Sequence, residues 1–132
     1  MDKKYILSVL LILVVSMVLG FITHGWALMD EYTATGLFRE AAEQEARTPW
    51  MIIAHVVLAF AFVALYRKGV EDKPWAGQGL RFGLLIALIA YVPIYIIYYV
   101  VQPMPEMLVF RQAAYETINT MILGLAVAWM YR

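Results

Sequence analysis

The sequence predicts an all-α integral membrane protein, an antiparallel four-helix transmembrane bundle with N and C termini cytoplasmic. Three observations carry this expectation. Hydrophobic residues make up 64% of the 132-residue chain and charged residues only 15%, and the mean hydropathy of +0.73 lies far above that of a soluble domain. The apolar residues fall in four long runs separated by polar or proline-containing breaks. Basic residues divide unevenly between the ends of these runs: Lys3, Lys4, Arg67, Lys68, Lys73, Arg81 and Arg132 on one side, Arg39, Arg47 and Arg111 on the other. The richer side is the cytoplasmic one.

The first span is expected over 5–29, where an apolar run follows Lys3-Lys4 and is interrupted by Ser16, Thr23 and His24. Its basic start resembles a signal peptide, but the run is too long and no small-x-small cleavage site closes it, so it reads as an uncleaved span. The second is expected over 49–68. Thr48 can cap it, Pro49 suits a first helical turn, and Tyr66-Arg67-Lys68 closes it. The third is expected over 79–101, ending at Gln102-Pro103-Met104-Pro105. The fourth, 106–131, is ~40 Å long at 1.5 Å per residue, so its first two turns should stand above the hydrocarbon.

An acidic outer loop, 30–48, joins the first two spans, and Leu37, Phe38, Ala41 and Ala42 give it a short amphipathic helical stretch. Trp26 and Trp50 mark the outer interface; Tyr66, Trp75, Trp129 and Tyr131 mark the inner one. One membrane domain, 1–132, accounts for the chain. A faint internal echo aligns Leu65-Tyr66-Arg67 with Met130-Tyr131-Arg132, although an aromatic followed by arginine is also an ordinary cytoplasmic anchor. Gly79-Leu80-Arg81-Phe82-Gly83 is a GxxxG, extended by Ala87 and Ala90, that suits close packing on a neighbouring helix or a second copy.

Composition excludes several function classes. Ten basic residues balance ten acidic ones, so there is no basic stripe for nucleic acid. Cysteine is absent, which removes disulfides, thiolate metal sites and a cysteine nucleophile. The GxxxG lacks the Lys-Ser/Thr of a phosphate loop. No serine-histidine-aspartate order, paired-carboxylate pattern or nucleotide fingerprint is present.

What remains is a set of polar residues inside the apolar runs. Ionisable side chains are costly in hydrocarbon, so His24, His55 and Glu116 mark a functional site by default. Counting inward at 1.5 Å per residue puts His24 ~9 Å below Asp30 and His55 ~7.5 Å below Trp50, at matching depth. Asn119 lies level with His55, and Glu116 about one turn further out. Tyr91, Tyr95, Tyr98 and Gln102 form a continuous polar stripe on the third helix, and Glu116 and Thr120 share a face of the fourth. One cavity in the outer half of the bilayer is therefore expected, lined by these nine residues.

Several chemistries fit that cavity. Two imidazoles from adjacent helices suit the axial positions of a b-type haem, or, with Glu116, a two-His, one-carboxylate set for a divalent metal. Gly20 and Gly25 would admit a planar cofactor. Glu116 suits proton exchange in a small proton-coupled transporter, and the tyrosines suit a quinone or a lipid head group. The same residues also suit a purely structural hydrogen-bonded cluster. Pro93 is expected to kink the third helix and widen the cavity. The reading that follows is a non-enzymatic membrane component, a homo-oligomer or a subunit of a larger complex in the lipid bilayer, with a ligand or cofactor cavity. In a bacterium its place would be the plasma (inner) membrane.

Overall fold

The computed structural model describes residues 2–132, and these are almost wholly helical, with no strand among them. Six α-helices run in chain order: α1 (Lys3–Gly20), α2 (Met29–Ala34), α3 (Ala41–Gly69), α4 (Trp75–Ile86), α5 (Val92–Val101) and α6 (Glu106–Met130). Two π-helical segments interrupt this sequence. Phe21–Ala27 continues α1, and Ala87–Tyr91 joins α4 to α5. Three continuous helical stretches are long and apolar enough to cross a membrane: Lys3–Ala27, Ala41–Gly69 and Trp75–Val101.

Each boundary has a local cause. Asp2 caps α1, its carboxylate accepting from the Tyr5 N–H at 2.7 Å and pairing with Arg67 at 3.0 Å. That N–H, and behind it Arg67, holds the Asp2 carboxyl below the usual carboxylate range. Asp30 and Glu31 in the first turn of α2 suit its positive N-terminal pole. After α2 the chain reverses at Gly36, whose φ of +66° favours a residue without a Cβ. The break between α5 and α6 falls where expected, with Gln102 extended at the end of α5.

Two boundaries differ from expectation. α3 starts at Ala41 and not at 49, so Pro49 lies inside the helix. Ala41 to Arg47 are almost all strong helix formers, and they extend the helix through the segment expected as outer loop. The amphipathic stretch is divided, with Leu37 and Phe38 in the turn and Ala41 and Ala42 in α3. The third stretch likewise begins at Trp75, ahead of 79. Near Pro93 the helix does deviate: proline has no N–H and its ring clashes with the carbonyl four residues back. The wide turn Ala87–Tyr91 absorbs this, the Val92 N–H reaching back to the Ala87 carbonyl.

α6 is the most enclosed helix, packed by α1, α4 and α5, while α3 packs mainly on α1. Tyr5, Tyr66, Trp75 and Tyr131 join one apolar core. The start of α1, the end of α3, the start of α4 and the end of α6 therefore meet at one end, and the Tyr66 and Tyr131 rings are 5.9 Å apart. At the other end a smaller core of Leu28, Tyr32 and Leu108 seats α2 on α6, reinforced by an Arg111–Glu31 ion pair.

The GxxxG finds its partner within the chain. Gly79 and Gly83 of α4 lie against Gly124 and Thr120 of α6 so closely that a Cβ at Gly83 would collide with the Thr120 carbonyl oxygen and lie 2.5 Å from the Met121 Cα. Such backbone contact is how small residues drive helix association in lipid. Gly83→Leu and Gly124→Leu are accordingly expected to destabilise the bundle by about 1–3 kcal/mol or more through overpacking. Gly69→Ala, which meets nothing within 4 Å, should leave thermal unfolding in detergent almost unchanged.

Candidate functional site

Between the two apolar cores the helices part. α3 is exposed along its whole outer portion and becomes enclosed only from Ala59 onward. The gap is a cavity of about 770 Å³, bounded by α1 with its π segment, α3, Tyr91 and Tyr95, α6, and α2 with Phe38. Both π segments border it. A wide turn adds a residue to the helix and re-aims the side chains that follow. One π segment carries Thr23 and His24, and the other ends at Tyr91.

A chain of hydrogen bonds crosses the outer part of the site. Gln112 Nε2 donates to the Tyr32 hydroxyl at 2.9 Å. The Tyr32 hydroxyl lies 2.7 Å from His24 Nδ1, and His24 Nε2 lies 2.5 Å from Glu116 Oε1. With its oxygen accepting from Gln112, the Tyr32 hydroxyl still has a proton to give and a second lone pair, so it can serve His24 Nδ1 as donor or as acceptor while Nε2 faces the Glu116 carboxyl. Beside this chain Asn119 Nδ2 donates to Thr23 Oγ1 at 3.0 Å. Thr120 Oγ1 donates to the Glu116 carbonyl at 2.8 Å. Gln112, Glu116 and Asn119 are all buried, and Gln112 Oε1 is enclosed without a partner. Burial of the Tyr32 phenol raises its pKa, keeping it protonated.

His55 belongs to a separate contact. Ser16 donates its proton to the Leu13 carbonyl at 3.0 Å, so its oxygen, 3.0 Å from His55 Nδ1, accepts from the imidazole. That order places the His55 proton on Nδ1 and leaves Nε2 as a bare lone pair beside the cavity.

The structure thus brings six of the nine expected residues to one cavity: His24, His55, Tyr91, Tyr95, Glu116 and Asn119. The other three lie elsewhere. Thr120 turns into the seam with α4. Tyr98 is 45% exposed and Gln102 ends α5 as an exposed residue, because the stripe climbs ~10 Å beyond Tyr91 along the helix and passes the cavity. The metal set is not assembled either: among the described residues no three His, Asp or Glu side chains converge to hold an ion. Each ring nitrogen of His24 already has a partner, so a bis-histidine haem would require His24 to release Glu116 or Tyr32. The glycines expected to admit a planar cofactor face side chains instead, Gly20 the His55 ring and Gly25 the Phe21 ring.

Four participants were not anticipated: Tyr32, Gln112, the Thr23 partner of Asn119 and the Ser16 partner of His55. Gln112 had a signal, since Gln112, Glu116 and Asn119 are spaced four and three apart on one helix face. Residues 7–128 match the family model described as "Protein of unknown function (DUF1761)". The chain belongs to this family. The match runs from α1 into the last turn of α6, so every cavity residue named above lies inside the region that defines the DUF1761 family. No curated protein and no solved structure matches the chain.

Removing the Tyr32 hydroxyl leaves a Gln112 N–H and His24 Nδ1 unpaired at once. Tyr32→Phe is expected to cost about 1–3 kcal/mol, the penalty of stranding buried polar groups. Gln112→Leu should cost less in the Tyr32→Phe background than in the wild type, a coupling that a double-mutant cycle of reversible unfolding measures.

Proposed function

We propose that this DUF1761 member is a non-enzymatic multi-pass membrane component, with four spans and both termini cytoplasmic, that holds a small and largely apolar ligand in its outer-half cavity. The observation that carries the ligand reading is the composition of the cavity wall. Leu19, Phe21, Met51, Ile52 and Leu58 supply an apolar surface, and a small number of polar groups converge on it: the His24–Glu116 pair, His55 Nε2 and the Tyr91 and Tyr95 phenols. A concave apolar site with a few placed polar groups is the usual form of a small-molecule pocket.

Other observations support the four-span arrangement. α6 is ~37 Å long at 1.5 Å per residue, enough for a ~30 Å hydrocarbon layer. Its polar residues Gln112, Glu116 and Asn119 are buried in the bundle, so they interrupt its apolar run without facing lipid. The basic residues gather at the end where Tyr5, Tyr66, Trp75 and Tyr131 meet, the pattern of a cytoplasmic face. α5 buries no residue within the chain, and its apolar surface suits lipid or a neighbouring subunit of a homo-oligomer or larger complex.

Because the chain has no cysteine, single replacements report the topology directly. Glu45→Cys is expected to react with a membrane-impermeant maleimide on intact cells, and Lys73→Cys only after permeabilisation; the reverse pattern would invert the proposed orientation. For the ligand, native mass spectrometry of protein extracted directly into lipid nanodiscs should find one small molecule per chain. Ile52→Trp, which fills the cavity from an exposed position on α3, should lose it. A wild-type chain that carries nothing, or an occupancy that Ile52→Trp leaves unchanged, would overturn the reading.

A further inference from the structure

Resting on the ligand-cavity reading, we infer that the occupant is a lipophilic organic ammonium ion, its N–H groups held by Glu116 and His55 and its apolar body laid against aromatic rings. Charge is the first argument. No lysine or arginine lines the cavity, and its one acidic side chain is Glu116. The cavity's one carboxyl therefore has no cationic side chain beside it other than, at most, the His24 imidazole on Oε1. Donor and acceptor balance is the second. Glu116 Oε1 is taken by His24, while Oε2 accepts nothing from the described residues and is not sealed off. His55 Nε2 is likewise a lone pair without a partner, its Nδ1 proton being engaged with Ser16. Both of these open atoms are acceptors, and the other open polar groups, the Tyr91 and Tyr95 phenols, are neutral, so a protonated amine brings donors and the positive charge that no wall residue other than His24 can supply.

The walls supply the rest. Phe21, Tyr32, Phe38, Tyr91 and Tyr95 all border the cavity, and aromatic faces attract cations most strongly where water is excluded. An anion would meet the Glu116 carboxylate without a compensating cation. A neutral alcohol would satisfy one acceptor and leave the negative charge uncompensated.

Matched probes separate these cases: 4-phenylbutylammonium, 4-phenylbutanol and 4-phenylbutyrate, titrated calorimetrically at pH 8 into the full chain in zwitterionic nanodiscs, against empty nanodiscs. The amine is expected to bind one per chain, at least about tenfold more tightly than the alcohol, with the acid not binding. Glu116→Gln should weaken the amine at least about tenfold and the alcohol by much less. Tyr95→Leu should weaken it by about threefold or more, and Tyr95→Phe, which keeps the ring, should not. Alcohol or acid binding as tightly as the amine, or an amine affinity untouched by Glu116→Gln, would overturn the inference. If Glu116→Gln fails to fold, the wild-type preference of amine over alcohol decides alone. A co-purifying molecule that Ile52→Trp removes, with no binding of the amine, would defeat the ammonium assignment and keep the cavity reading; no retained molecule and no probe binding would defeat both.

Discussion

A carboxylate placed on the enclosed helix of an apolar bundle demands a partner, because an unpaired charge there costs several kcal/mol or more. Glu116 sits on α6, the helix with the most neighbours, and the half of the fold that holds the cavity is arranged around supplying that partner. α1 loosens into a π turn that carries His24 to within 2.5 Å of the carboxylate. α2 then folds back across the end of the bundle so that Tyr32 reaches the far nitrogen of the same imidazole. Gln112, one turn above Glu116, closes the chain by donating to Tyr32. Four residues from three elements are thereby joined in one hydrogen-bonded chain, and none of these elements could shift alone without stranding a buried polar group.

The other half, where the start of α1 and the end of α6 lie, depends on a different constraint. There α4 and α6 approach until glycine is the only residue that fits between their backbones, and Phe62, Tyr66 and Phe82 fill the neighbouring space edge to face. The cavity lies above this tightly packed layer and below the α2 cap. Its polar groups are thus mounted on helices held firmly at one end, while its outer wall, the exposed stretch of α3, is held only weakly.

Much of this arrangement was legible in the residues. The apolar runs, the break at Gln102 to Pro105, the closing Tyr66-Arg67-Lys68 and the small-residue face of α4 all follow from local physical chemistry and reappear in the structure. His24, His55 and Glu116 also border one cavity, as expected from counting along each helix. Rotation about each helix axis and the path of the chain between helices are not local, and here the expectations failed. Thr23 and His24 sit in a π turn that no proline announces. Tyr32 lay in a segment expected as loop, and only the reversal at Leu28 brings it back over His24. Pro49 looked like a helix start because proline is favoured there, but the helix formers before it carry α3 through. His24 and His55 matched in depth, yet one turns to Glu116 and the other to Ser16, so equal height did not make them a pair.

The contact between α4 and α6 also has a mechanical consequence. Where backbones touch with no layer of side chains between them, there is nothing soft to slide, and the two helices are coupled as a single stiff beam. α3 by contrast meets the rest of the fold chiefly through its inner half and through α1. The compliant part of the cavity wall is therefore the exposed arm of α3, which extends from its anchored base near Ala59. The position of Pro49 within that arm, where a backbone hydrogen bond is already missing, adds a second compliant point.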